Sequence, residues 1–316
     1  MMWEGEWHLI WPCVQYQPKR SSARVEENVA QTVKRVTSLM RSNEFSKAAA
    51  AAWGPGESAD AEAIRREFAN SQEGGPTNRN PPPAPGLWDV PAELYQKIVT
   101  QISKDHRHGP KMSAGGNGQS KFEHWVPCGQ LPHDDDPVAR VLLRIFLGHM
   151  PAECLDLSLS ACLAGIMKKS GGVRILGKGT AQRRKVGRAV ARVLRNEIRE
   201  ACGPQQFAMQ PDGAGHVHRL LSALVAARPG LAVGGCDMKQ VFPSTLRDKV
   251  LEKVRKYSPE TYSLVYHLYK GDSKHTVEGC PGDPLTAILQ RRGLDQGCNM
   301  SMGSFCITTS TEALAH

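Results

Sequence analysis

Residues 168–194 read KKSGGVRILGKGTAQRRKVGRAVARVL. Ser170-Gly171-Gly172 is a turn signal, and VRIL (173–176) is a short strand-forming run. From about 181 to 202, Val186, Val190, Val193, Ile198 and Ala201 share one side of a helix. Arg184, Arg188, Arg192, Arg195 and Arg199 share another, at spacings of three and four. A turn, a strand and a long two-faced helix in succession point to a mixed α+β architecture. Between Lys168 and Glu200 stand eleven basic residues and two acids, in a chain whose whole net charge is +9. A solvated helix face is the ordinary reading of an arginine stripe, but the scarcity of acids beside this one favours a polyanionic partner.

Upstream of this stretch the pattern is mostly helical. Helices are expected over 137–149 and 151–167. In LPHDDDPVARVLL (131–143), Asp136 before Pro137 is an N-cap followed by proline at the first helical position, a better reading than a metal site built from adjacent side chains. An amphipathic helix at 91–102 precedes a polar loop at 105–120. The Pro-, Gly- and Asn-rich residues 71–90 read as a linker, and residues 22–68 as helix, interrupted at Gly54-Pro55-Gly56.

Downstream, a helix is expected over 216–227 and a strand over LAVGGCDM (231–238). Thr245-Leu-Arg-Asp248 is a capping box that opens a helix with Leu246, Val250, Leu251 and Val254 facing inward. A second helix covers 259–269. The resulting division is a helical region at 1–70, a linker with one short helix at 71–121, and two further regions at 122–230 and 231–316.

Nine cysteines form no C-x-x-C pair, which argues against a zinc ribbon or a disulfide framework and for a reducing, intracellular setting. MMWEGEWHLIWPCV at the start carries Glu4 and Glu6 where an export signal would be basic. LDLSLSACLAGIM (155–167) is short for a membrane span and contains Asp156. The expectation is a soluble protein of the nucleus or cytoplasm that does not engage a membrane. The pairs His106/His108 and His216/His218 are poor ligand sets, the first in a loop and the second on a helix that points the rings apart.

The order of motifs resembles the reverse transcriptases of non-LTR retrotransposons. LAVGGCDMKQVFPST is similar to their first catalytic motif, in which an apolar strand delivers an aspartate and an aromatic residue follows five positions later, as Phe242 follows Asp237. KKSGGVRILGKGTAQRRKVGRAVARVL resembles the fingers segment, with Ile175 where the family usually has proline. RRGLDQGCNMS (291–301) resembles the Gln-Gly motif through Gly293, Gln296, Gly297 and Ser301, with Asn299 where many members have proline. A rival phase at EGCPGDPL (278–285) lacks the glutamine. The resemblance covers roughly 165–316, about half of the chain.

The resemblance implies a partial right-hand polymerase, fingers over 122–230 and an incomplete palm over 231–316, preceded by the helical N-terminal region. It implies RNA-directed DNA synthesis by a two-metal mechanism, with Mg²⁺ held by Asp237 and the carbonyl of Met238. Lys169 and Arg174 would bind the incoming deoxynucleoside triphosphate, Phe242 would exclude a 2′ hydroxyl, and Gln296 and Gly297 would line the nucleotide pocket. The arginine stripe would hold an RNA template paired with a DNA primer by its phosphates. The family also places a Tyr-x-Asp-Asp hairpin after the Gln-Gly motif, and after Ser301 this sequence has Glu312 as its one acid. A truncated and impaired polymerase is therefore expected, with a non-catalytic nucleic-acid-binding remnant of a retroelement as the alternative. Protein partners are not indicated.

Overall fold

The computed structural model describes residues 34, 36–38, 59–73, 90–108, 116, 120–130, 132–168, 171–228, 230–235, 240–277 and 288–313. The chain divides into two compact units, Met1–Glu57 and Ser58–His316. In the first, the described residues 34 and 36–38 are helical. All that follows concerns the second.

The strand read at 173–176 is present and longer than expected, as the second strand of a hairpin whose first strand falls where a helix was expected. β1 (Ala161–Met167) pairs antiparallel with β2 (Val173–Gly179), Ile166 opposite Arg174. Gly171 and Gly172 at φ +83° and +79° close it, conformations that glycine adopts without a Cβ penalty. β1 then pairs in parallel with β3 (Ser273–Val277), and β3 antiparallel with β4 (Ile288–Gln290), giving the order β2-β1-β3-β4.

Helix α1 (Ala61–Ser71) starts at Asp60, whose carboxylate accepts the Ala63 N–H at 2.7 Å. It lies across the sheet, and Ile64 and Phe68 pack with Leu163, Val173, Ile175 and Val277. Gly165 permits that approach: a Cβ there would stand 2.6 Å from Ile64 Cγ1. Ile175 is one of the buried members of this cluster.

The larger core is helical. It joins α2 (Ala92–His108), α3 (Pro137–Phe146), α5 (Ala181–Val193), α6 (Arg195–Cys202), α9 (Arg247–Tyr257), α10 (Pro259–Tyr269) and α11 (Ser301–Ala313). Between them α4 (Ala152–Leu159) leads into β1, while α7 (Gly213–Ala227) and the short α8 (Val241–Ser244) connect the middle of the chain. Asp136 caps α3 as expected, accepting from Val138 and Ala139 N–H at 2.9 and 3.0 Å with Pro137 at the first position. Val186, Val190 and Ile198 are buried as the helical spacing requires.

Four expectations need correction. Residues 151–167 are not one helix: α4 stops at Leu159 and 161–167 are β1. A seven-residue apolar run does not distinguish helix from buried strand by periodicity, and here the facing β2 decides. The helix expected over 181–202 is two, because Leu194 (φ −96°, ψ 22°) leaves helical geometry between α5 and α6. Thr245 does not cap α9: its hydroxyl donates to the Val241 carbonyl at 2.6 Å, Leu246 takes the capping position without a side-chain bond, and Leu246 is exposed. Residues 231–235, the described part of the expected strand 231–238, form no ladder and are exposed. A short apolar run becomes a strand only with an edge to pair against.

The polar loop expected from residue 105 begins later, since α2 runs to His108. Residues 22–33, 39–58, 74–89, 109–115 and 236–239, with the expectations placed on them, lie outside the described residues, as does the rival motif at 278–285. No helix among the described residues is long and apolar enough to cross a membrane.

Candidate functional site

Three segments far apart in sequence meet at the turn between β4 and α11. The Leu294 N–H donates to the Phe242 carbonyl at 2.7 Å, and the Gly293 N–H to the Thr245 carbonyl at 2.8 Å. On the other side, the Gly177 N–H of β2 donates to the Gln296 carbonyl at 2.9 Å. The glycine-glutamine-glycine turn is thus bonded both to the segment that follows Asp237 and to the strand that carries Arg174. Gly293 (φ +84°) and Gly297 (φ +110°) take left-handed conformations, and a Cβ on Gly297 would stand 3.2 Å from the Gly177 carbonyl oxygen. Glycine serves both the backbone angle and the close approach.

Buried polar groups hold the turn. Arg247, fully buried on α9, donates Nε to the Gly293 carbonyl at 2.8 Å and Nη1 to the Gly271 carbonyl at 2.7 Å, its guanidinium 5.2 Å from the Tyr269 ring centre. The Tyr269 hydroxyl bonds the Ser301 hydroxyl at 2.9 Å, and burial pushes that phenol well above its usual range. Arg183 of α5 donates Nη2 to Asp295 Oδ2 at 2.5 Å, and His275 of β3 approaches Asp295 Oδ1 at 3.2 Å. Burial alone would raise the Asp295 carboxyl, but the Arg183 guanidinium and His275 outweigh it and hold it well below the usual carboxylate range. The His275 Nδ1 accepts the Ala161 N–H at 3.1 Å, so the ring proton sits on Nε2, facing Gln290 Oε1 at 2.7 Å and Asp295.

The expected site residues fall into distinct settings. Arg174 is exposed on β2, Gln296 is half-buried and Gly297 exposed. Phe242 is half-buried, its ring 5.2 Å from that of Phe305 on α11. Lys169, Asp237 and Met238 lie outside the described residues. Among the described residues no group of three or more His, Cys, Asp or Glu side chains is placed to hold a metal ion.

The five arginines do not form one uniform face. Arg184 stands 5.2 Å from the Phe122 ring centre. Arg188 and Arg192 reach the buried Asp105 of α2, at 3.6 Å from Nε and 2.5 Å from Nη1. Arg195 is exposed and Arg199 half-buried on α6, beyond the break at Leu194. Next to them Lys185 is fully buried, its ammonium donating to the Asp105 carbonyl at 3.3 Å and lying 4.7 Å from the Phe122 ring centre.

His106, read as a loop residue, is buried at the end of α2, bonded to Asp136 at 3.2 Å and stacked on Trp125. Burial would raise the Asp136 carboxyl, but bonds from His106, Ala139 and Ser103 hold it low. A polar cleft of about 600 Å³ opens between α1 and α8, lined by Glu67, Ser71, Gln240, Ser244 and Arg292 among others. Within it Gln240 donates to Glu67, and Arg292 donates to the Ser244 carbonyl at 2.9 Å.

No family model matches the chain, and no curated protein does.

Neither Arg183–Asp295 nor Arg247–Gly293 was read from the sequence. The partners of the first are separated by 112 positions. The available hint was an acid beside an apolar residue inside a glycine turn, where an unpaired carboxylate would be costly to bury.

Proposed function

We propose that this chain carries the nucleotide- and template-facing part of a template-directed nucleotidyl transferase of the reverse transcriptase type. The observation that carries the reading is the convergence at the 293–301 turn: Phe242, Gln296 and the Arg174 strand are joined through two backbone hydrogen bonds. Residues assigned from three separate motifs to one triphosphate need such a common locus.

In this reading Arg174 and Lys169 meet the triphosphate of an incoming deoxynucleotide, where guanidinium and ammonium groups match its charge. Gln296 and Gly297 present backbone and a short polar side chain to the base pair being formed. Phe242 closes the space where a 2′ hydroxyl would sit. Arg195 and Arg199, with the outer part of Arg192, hold the RNA–DNA duplex by its phosphates without regard to sequence. Mg²⁺ bound at Asp237 and the Met238 carbonyl would supply charge neutralisation at the phosphates.

Binding is testable on these 316 residues. A fluorescein-labelled RNA–DNA primer–template should bind more weakly as salt rises, and Arg174→Ala with Arg195→Ala should weaken binding about equally for unrelated sequences while Asp237→Ala leaves it intact. Salt-independent binding, or equal binding by all variants, would rule the duplex assignment out. Duplex binding without any Mg²⁺-dependent deoxynucleotide binding would favour a non-catalytic nucleic-acid-binding remnant instead. A two-metal site depends on its carboxylates, so nucleotide incorporation is measured with Asp237→Asn as the control. In the same assay Phe242→Ala should raise the use of UTP relative to dTTP.

A further inference from the structure

We propose that Asp295 is a positioning residue: gripped by Arg183 and His275, it sets the Gln296–Gly297 turn against β2. That the turn faces a nucleotide rests on the reading above; the grip itself does not.

The argument begins with what is buried. Arg183, His275, Gln290 and Asp295 are each at most 4% exposed. Apolar residues of similar volume would fill this space at no loss of stability, since the desolvation of a buried ion pair commonly offsets its attraction. A buried ion pair does have directionality. One carboxylate oxygen of Asp295 faces Arg183 of α5 and the other faces His275 of β3. Two oxygens held from two elements fix the rotation of the carboxylate as well as its place.

Both holders are themselves fixed. The Arg183 Nη1 donates to the Leu159 carbonyl at 2.6 Å, and His275 is held between the Ala161 N–H and Gln290. The carboxylate is therefore referenced to α5, β1, β3 and β4 together. The very next residue, Gln296, takes the Gly177 N–H on its carbonyl. A Cβ on Gly177 would lie 3.2 Å from Asp295 Cβ, so glycine at 177 lets the aspartate sit close against the strand that carries Arg174. An asparagine at 295 keeps the shape but turns an N–H toward one of two donors, so it loses one side of the grip.

The test is amide hydrogen exchange at Gly177, whose N–H reports the bond to Gln296, compared with Val254 and Val265 in the helical core. Asp295→Asn should speed exchange at Gly177 at least about tenfold beyond any change at Val254 and Val265. Arg183→Lys, which keeps the charge and loses the planar fork, should do the same and serves if Asp295→Asn does not fold. Gly177 unchanged, or faster only in step with Val254 and Val265, overturns the proposal. A second measurement titrates Mg²⁺ and a fluorescent dATP analogue. Weaker binding by Asp295→Asn with Gly177 loosened is the expected result, and equal binding with Gly177 loosened overturns the positioning role. A wild type that binds no dATP analogue overturns the nucleotidyl-transfer reading, and the Gly177 rates then decide the grip alone.

Discussion

Lys185 shows how far a basic sequence can differ from a basic surface. Its neighbours Arg188 and Arg192 close on Asp105, and Lys185 itself lies under Phe122. Burial pushes its ammonium down to about 8, against a partial opposing pull from Asp105. The folded pKa lies below the ordinary 10.5, so folding disfavours the charged form at neutral pH, and stability should rise as pH climbs from about 8 to 10.5. The full span corresponds to roughly 3 kcal/mol. Lys185→Met should raise stability at pH 7 by roughly 1–2 kcal/mol, after the lost ring contact is subtracted, and remove the alkaline rise. Urea unfolding midpoints at pH 7 and 10 check both. Sequence spacing correctly put arginines 184, 188 and 192 along one helix, but Asp105 is 87 positions away from Arg192 and has no local signature.

At the scale of elements, the close seat of α1 on β1 rests on Gly165. Gly165→Ala should destabilise by roughly 1–3 kcal/mol through overpacking against Ile64. Ile64→Ala, which removes Cγ1, should cost less in the Gly165→Ala chain than in the wild type, a coupling visible in a double-mutant cycle by urea denaturation. Elements whose ends are set by local chemistry were legible. Asp136-Pro137 opened α3, Pro259 opened α10, and Gly171-Gly172 turned the hairpin. Elements decided by distant partners were not. β1 needs β2 and β3 to be a strand, residues 231–235 have no such partner among the described residues, and Thr245 finds the Val241 carbonyl closer than the N–H groups of α9. At the candidate site the Gly-Gln-Gly spacing was readable, whereas Arg183, Arg247 and His275 come from elements that only the fold brings to it.

For the molecule as a whole, acid should act in two stages. Burial, with Lys270 and His149 nearby, lowers the His267 imidazole to about 4. Because its folded pKa lies below the ordinary 6.5, its contribution is full above pH 6.5 and is lost as pH falls from there to about 4. Asp295 and Asp136, both held low, contribute fully above the ordinary carboxylate range and lose that contribution as pH falls below about 4. Urea midpoints between pH 8 and 3 should show the first decline reduced by His267→Phe and the second reduced by Asp295→Asn. The parallel pairing of β1 with β3 has a different consequence, in time. Ala161 and His275 lie 114 positions apart, so the sheet cannot be completed until nearly the whole span between them has been made. At 5–20 residues per second that is roughly 6–23 s of synthesis, during which the β1–β2 hairpin, closed by a local turn, must wait without β3 on the edge of β1.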